Sequence, residues 1–252
     1  MGKSAIMTRS LEDRLKRIRW IVDTVPGALT MARWLRRNLD TELRTIHALS
    51  RAQGSLMFQT RPDTWEDRYP QLFAALANRL AHIAEPRILS FGCSNGAEVR
   101  SLRRYLPHAL ITGVDINPRC IARAQRADTN PLSRYLVAGK PDQTERYHAI
   151  LAMAVFRHGV LETKQPDNCE SILSFARFSE GISLLDRCLE PDGWLAMYNG
   201  HFRFTDTLLA TGYAVDSFRM TDQLPLDLLY GPDNCRLEEG GYDEVLFRKL
   251  RS

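Results

Sequence analysis

The stretch Arg87-Ile-Leu-Ser-Phe-Gly-Cys-Ser-Asn-Gly-Ala-Glu98 reads as a buried strand, a tight glycine turn and the start of a helix. About nineteen residues past Gly96, close to the spacing of a ribose-binding acid, a second strand ends in a carboxylate: Ile111-Thr-Gly-Val-Asp-Ile-Asn-Pro118. Strand, glycine turn, helix, strand and acid is the layout of a nucleotide pocket in a doubly wound sheet. Glycines let the backbone approach a ligand that a Cβ would strike. Asp115 can accept hydrogen bonds from two ribose hydroxyls.

The loop also says which nucleotide to doubt. A dinucleotide fold wants G-x-G-x-x-G, but Gly92-Cys-Ser-Asn-Gly96 runs into Ala97-Glu98 with no third glycine. Glu98 would sit in the first helical turn, where a carboxylate repels a pyrophosphate and suits an ammonium group. A ligand with ribose hydroxyls and a free amino group fits better than a nicotinamide or flavin dinucleotide.

Outward from this segment the chain alternates. Strands are expected at 88–91, 110–114, 134–137, 148–153 and 194–198, and helices at 98–105, 118–127 and 175–189. Alternation of this kind predicts an α/β, doubly wound, mostly parallel Rossmann-like sheet with helices on both faces. The end differs. Strands at 214–218 and 244–247 flank a linker holding Pro225, Gly231-Pro232 and Gly240-Gly241, which suits an antiparallel hairpin at the edge of a seven-stranded sheet. Ahead of the sheet, residues 1–60 carry helical spacing in Leu11, Leu15, Ile18 and Val22 and again in Leu35, Leu39, Leu43 and Ile46. They are expected to form a helical lid that selects the substrate, with 61–252 as the main domain. A further helix is expected over Tyr69–Ala84, ended by Pro86.

Bulk properties exclude several classes. Of 252 residues, 44% are hydrophobic and 25% charged, which suits a globular domain with a sizeable core. The five cysteines are scattered, with no C-x-x-C pair, which argues for a reducing compartment and against a zinc site. No apolar run reaches membrane-spanning length and no signal-peptide core opens the chain, so a cytoplasmic protein is expected. A net charge of +4 is too small to argue for nucleic acid. The basic front, including Arg14, Lys16, Arg17, Arg33, Arg36 and Arg37, is either a solvated helical face or a surface for an anionic substrate, an acidic partner or membrane headgroups.

Phe91-Gly-Cys-Ser-Asn-Gly-Ala-Glu98 resembles the first motif of class I S-adenosylmethionine-dependent methyltransferases, in the Gly-Cys-Ser-x-Gly-x-Glu form of the bacterial chemotaxis-receptor methyltransferases. Thr112–Asn117 resembles the second motif, Tyr147-His-Ala-Ile-Leu-Ala-Met-Ala-Val-Phe156 the fourth-strand motif, and Leu184–Ala196 the L-x-P-G-G-x-L lead into the fifth strand. The likeness spans about Arg87 to the C-terminus. It implies that Gly92, Cys93, Ser94 and Gly96 line the methionine part of S-adenosyl-L-methionine, with Glu98 near its ammonium. Asp115 would hold the ribose and Ile116 pack on the adenine. Asp142 would contact the adenine amine, and Met153 and Ala154 would close the pocket.

Methyl transfer from a sulfonium is an in-line displacement with an activated leaving group, so alignment dominates and a base helps only a protonated acceptor. Acceptor-facing residues should follow strands four and five. That selects Arg157, Asn199 and Arg203 for substrate binding, and His158, with His201 second, as candidate base, since imidazole titrates near neutrality. For each histidine a plain structural role is the competing reading. There is no Asn/Asp-Pro-Pro-Tyr after strand four, which disfavours amino-methylation of adenine or glutamine. The expected acceptor is a small molecule, lipid or glycan. The alternatives are a protein carboxylate, as in the chemotaxis-receptor enzymes, or binding of the cofactor without catalysis.

Overall fold

The computed structural model describes residues 64–221, 228–238 and 240–251, together with 44, 45, 48, 49, 51, 58 and 59. Met1–Ala48 and Leu49–Ser252 are two compact units, and the sheet belongs to the second. Apart from short helical pieces at 44–45, 48–49 and 51, the expected N-terminal helices and their basic face lie outside the described residues.

The strands are β1 (Arg87–Phe91), β2 (Leu110–Asp115), β3 (Ser133–Val137), β4 (Tyr147–Met153), β5 (Leu189–Tyr198), β6 (Tyr213–Val215) and β7 (Leu246–Lys249). The helices are α1 (Pro70–Leu80), α2 (Ala97–Tyr105), α3 (Pro118–Ala127), α4 (Gly159–Lys164) and α5 (Phe175–Cys188). The sheet runs β3-β2-β1-β4-β5-β7-β6. Pairs from β3 through β5 are parallel, and β7 lies antiparallel to both β5 and β6. This is the expected doubly wound sheet with an antiparallel edge. The chain leaves β1 in one direction through β2 and β3, then returns to β4 on the other side. The crevice beyond the carboxyl ends of β1 and β4 is therefore the topological switch point, where ligands bind in open α/β sheets.

Alternation along the central strands sorts the core into two layers. Ile88, Ile111, Ala149, Leu151, Ala196 and Tyr198 pack with Leu72, Phe73 and Leu76 of α1, Val99 and Leu102 of α2, and Ile121 of α3. Leu89, Phe91, Val114, Ile150, Leu195 and Met197 pack with Phe178, Ile182 and Leu185 of α5, and with Phe58 and Phe156. Ser90 is the fully buried polar member of β1, and its partner matters below.

Three local expectations shift. The strand expected at 214–218 stops at Val215, because Asp216 turns the chain: its Oδ1 accepts from the Phe218 amide at 2.8 Å and from Arg79 Nη2 at 2.7 Å. Its partner runs later than expected, over Leu246–Lys249. The connection after β4 contains the short helix α4, for which the sequence offers no apolar period.

Gly113 in β2 joins the fold to the glycine turn. A Cβ there would stand 2.9 Å from both Cys93 Sγ and Tyr135 Cδ1. Gly113→Ala is expected to destabilise the protein by about 1–3 kcal/mol through overpacking. A denaturation midpoint unchanged from wild type would show that the turn can yield.

Candidate active site

The glycine turn is built by hydrogen bonds that engage its own amides. The Gly92 and Cys93 amides both donate to the Val114 carbonyl, at 2.8 and 2.9 Å, so the end of β1 is tied to the end of β2. Gly92 has φ +75°, and a Cβ there would stand 2.6 Å from Val155 Cγ2. Ser94 follows at φ +49°, and Gly96 at φ +78° heads α2. A Cβ on Gly96 would meet Ala124 and Tyr135 at 2.9 Å. Only glycine enters this region without strain and fits both clefts.

Asp115 holds the turn from the other side. Its Oδ2 accepts from the Ser94 amide and its Oδ1 from the Asn117 amide, both at 2.8 Å. Burial raises its pKa, and these two bonds oppose the rise. Each carboxylate oxygen keeps a further lone pair for a ligand hydroxyl. Ile116, half-buried beside it, opens α3's approach, and the Asn117 side chain caps α3 by accepting from the Arg119 amide at 3.0 Å. The Ala138 amide donates to the Asp115 carbonyl, which places the residues after β3 at this same end of the sheet.

Glu98 sits on the first turn of α2, where the buried Ser90 hydroxyl donates to its Oε1 at 2.7 Å. Burial pushes its pKa up to about 7, against the opposing influence of Ser90 and then Arg68. The Arg68 guanidinium lies 4.2 Å over the Trp65 ring and 5.2 Å from the centre of Tyr69. A half-protonated carboxylate beside the glycine turn is a receptor for an incoming cation, which would restore its charge. Cys93 is buried, and burial drives its thiol pKa well up, so it fills space there.

The carboxyl ends of β4 and β5 complete the group. Met153 is buried at the end of β4, and Ala154 takes φ +57° while its amide donates to the Tyr198 carbonyl at 2.8 Å. Asn199, at φ +56° and buried, donates from Nδ2 to the Tyr69 hydroxyl at 3.4 Å. Left-handed non-glycine residues are uncommon, and here they end two neighbouring strands. Tyr69 packs edge-on against Tyr198, and Tyr198 against Tyr242, whose hydroxyl accepts from the Gly200 amide at 3.0 Å. Tyr69, Arg68, Ser90 and Tyr242 were not anticipated from sequence. Ser90 alone carried a signal there, as the one polar residue inside an apolar strand.

Four expected site residues take other roles. Asp142 lies at the opposite end of the sheet: its carbonyl accepts from Cys188 Sγ beside the start of β5, and its carboxylate accepts from the Thr144 amide and hydroxyl. The loop after β3 has already crossed to the amino ends of the strands by that residue, so it does not reach the glycine turn. His201 is fully buried, with Nδ1 at 3.0 Å from the Leu228 carbonyl and Nε2 at 3.4 Å from the His158 carbonyl. Burial lowers its pKa, and the neutral ring has one N–H to donate to one of these carbonyls, which makes it a buried strut. His158 caps α4, its Nδ1 accepting from the Val160 amide at 3.2 Å. In that neutral tautomer the other nitrogen carries the proton, so the ring is not presented as a base. Arg203 heads the 3-10 turn Phe204–Asp206 and offsets the charge of Asp206. Arg157 remains with the site, within electrostatic reach of the Tyr69 and Tyr242 hydroxyls.

A sheet of this order, with a glycine turn after β1 and a carboxylate ending β2, is the architecture of class I S-adenosylmethionine-dependent methyltransferases. No protein-family model matches the chain. It is 28% identical over 179 residues to a trans-aconitate 2-methyltransferase of Klebsiella pneumoniae, covering 61% of this chain and 66% of that protein. It is 41% identical over 102 residues to WspC, a probable biofilm formation methyltransferase of Pseudomonas putida, covering 35% of this chain and 24% of that one. The chain thus spans less than two thirds of either relative. Among solved structures, the N-methyltransferase NodS of Bradyrhizobium japonicum with S-adenosyl-L-homocysteine covers 82% of this chain and 99% of its own, at 19% identity and a TM-score of 0.48. The motifs and the strand order are similar to those of the class I methyltransferases, and both of these partial relatives are named as methyltransferases.

The capping role of His158 separates from a catalytic one by substitution. His158→Asn retains a good N-cap and should leave stability within about 0.5 kcal/mol, whereas His158→Ala should cost about 1 kcal/mol. Equal denaturation midpoints for the two variants would remove the cap.

Proposed function

We propose that the chain is an enzyme that binds S-adenosyl-L-methionine and transfers its methyl group to an oxygen or nitrogen of a small-molecule, lipid or glycan acceptor. The observation that carries this reading is the pairing of the Asp115 clamp with Glu98 across one glycine turn. One carboxylate suits a ribose diol and the other an ammonium, and the turn between them keeps its shape because Gly92 and Gly96 lack the Cβ atoms that would strike Val155, Ala124 and Tyr135. When bound, the cofactor supplies a methyl group on a positively charged sulfur that departs as a neutral thioether.

The chain's own residues then have separate tasks. Asp115 binds ribose and Ile116 flanks the adenine. The residues just past β3, Ala138 and Gly139, take the place first assigned to Asp142 for the adenine edge. Met153 and Ala154 close the pocket over the turn; selection of the acceptor is assigned to residues 1–60, and peripheral membrane contact to their basic residues. Among the described residues no helix is long and apolar enough to cross a membrane. No group of three or more His, Cys, Asp or Glu side chains placed to hold a metal ion occurs among them either.

S-adenosyl-L-methionine and S-adenosyl-L-homocysteine should each raise the melting temperature, and NAD should not. No shift with either sulfur ligand would overturn the reading. Asp115→Ala should weaken homocysteine-ligand binding by about 1.5–3 kcal/mol, the worth of hydrogen bonds to a charged group. Glu98 gives a pH signature with a definite sign. Its folded-state pKa is raised from 4.5 to about 7, so the ligand-free protein holds a proton there that the unfolded chain releases. Its contribution to stability is therefore greatest below 4.5 and is lost as pH rises through 7. An ammonium ligand needs the ionised form, so affinity should increase as pH rises toward 7 and then level off. Calorimetric titration of wild type against Glu98→Gln checks this, since the variant should show neither slope.

A further inference from the structure

Phe58 reaches the core from outside the sheet and its helices. Among the described residues before Tyr69 it is the one that is buried. Its ring packs edge-on against Phe156, with ring centres 4.8 Å apart, and the Arg177 guanidinium covers it at 5.1 Å. The slot for it is cut into α5 at Gly181. A Cβ there would stand 2.7 Å from Phe156 Cε1 and 3.0 Å from Phe58 Cζ. Glycine inside a helix is destabilising, because it loses the most backbone freedom on folding. Gly181 lies near the middle of α5, and its missing side chain makes room for the two phenyl rings.

Phe156 carries the contact to the cofactor side. Its ring also meets Phe178 at 5.1 Å and Phe91 at 6.3 Å, and Phe91 is the last residue of β1 before the turn. The residue ahead of it, Val155, sets a methyl against Gly92: Val155 Cγ2 lies 2.6 Å from where a Gly92 Cβ would be. The backbone here has little freedom. The Phe156 carbonyl accepts from the His201 amide and the Val155 carbonyl from the Arg157 amide, both at 2.8 Å. Gly92 is in turn tied to the Val114 carbonyl. The glycine turn is thus confined between a strand end and the Val155 methyl, and the Phe156 ring beside that methyl is braced by Phe58. Interiors are close-packed, so removing one neighbour lets the next side chain relax toward the void.

We infer, resting on the reading of this turn as an S-adenosyl-L-methionine site, that Phe58 is a positioning residue for the cofactor, acting through Phe156 and Val155 on Gly92. Phe58 belongs to the core layer of α5, whereas the Glu98-bearing helix α2 packs on the other layer. A segment that precedes the sheet in the chain thereby sets how firmly the domain holds its cofactor. Coupling of this kind is reciprocal, so bound cofactor also holds Phe58 in its slot. A merely structural Phe58 would contribute to stability and leave cofactor affinity untouched.

The test is calorimetric titration of the full chain with S-adenosyl-L-homocysteine, alongside thermal melts. Phe58→Ala should raise the Kd about fivefold, within the range that substitutions along a packed connection produce. Gly181→Ala presses a methyl into the slot of a chain that keeps Phe58, and should raise the Kd about threefold. Leu185→Ala, in the same layer but off this connection, should lower the melting temperature and leave the Kd within about twofold. In a Val155→Ala background the connection is already cut, so adding Phe58→Ala should change the Kd by less than about twofold. An unchanged Kd in folded Phe58→Ala or in Gly181→Ala overturns the positioning role and leaves the cofactor reading intact. Full additivity with Val155→Ala does the same. An equal loss of affinity in Leu185→Ala reduces Phe58 to ordinary core packing. Failure of the wild-type chain to bind the ligand overturns the cofactor reading itself.

Discussion

The Val114 carbonyl receives two consecutive amides, Gly92 and Cys93, and the next residue of β2 holds the amide after those. This short ladder between the ends of β1 and β2 fixes the glycine turn, the start of α2 and the direction of the Asp115 carboxylate together. Backbone donors that would otherwise be buried without partners are satisfied by it. The site is therefore a continuation of the sheet's hydrogen bonding past its last paired residues. Its precision comes from the strands, with the loop contributing only the absence of side chains at two points.

The same economy governs the second half of the site. β4 and β5 end in left-handed residues, Ala154 and Asn199, coupled by the bond from the Ala154 amide to the Tyr198 carbonyl. The turn this creates sends one segment toward the cap of α4 and the other under Tyr242. His201 packs between the segments, its ring nitrogens facing the Leu228 and His158 carbonyls at 3.0 and 3.4 Å, one of which accepts its single N–H. A buried imidazole thus steadies the arginine-bearing connection, although it is not itself available to a ligand.

The sequence revealed what depends on periodicity and on glycine. The parallel sheet with its antiparallel edge followed from alternation, and Gly92, Gly96, Asp115 and Glu98 were singled out by spacing, because each of those signals is local. Tyr69 and Tyr242 were hidden since they reach the site from distant positions and look like core aromatics in any window. His158 and His201 misled for a related reason. Their residue type suggests proton transfer, but their roles are set by carbonyls and amides that only the folded chain brings within 3.5 Å. Asp142 failed through loop length: a few residues carried the chain from one end of the sheet to the other.

The placement of β7 between β5 and β6 has a consequence for the order in which the molecule assembles. As the chain emerges during synthesis, β1 to β5 can pair with strands already made, through crossovers of modest span. β5 then keeps an open hydrogen-bonding edge until residues 246–249 arrive, and β6 has no neighbour at all before that. The half of the molecule that bears the cofactor turn can consolidate first, while the half that bears Asn199 waits for a long-range closure. A nascent chain of this protein would therefore be expected to gain its nucleotide cleft before it gains a finished floor for the acceptor.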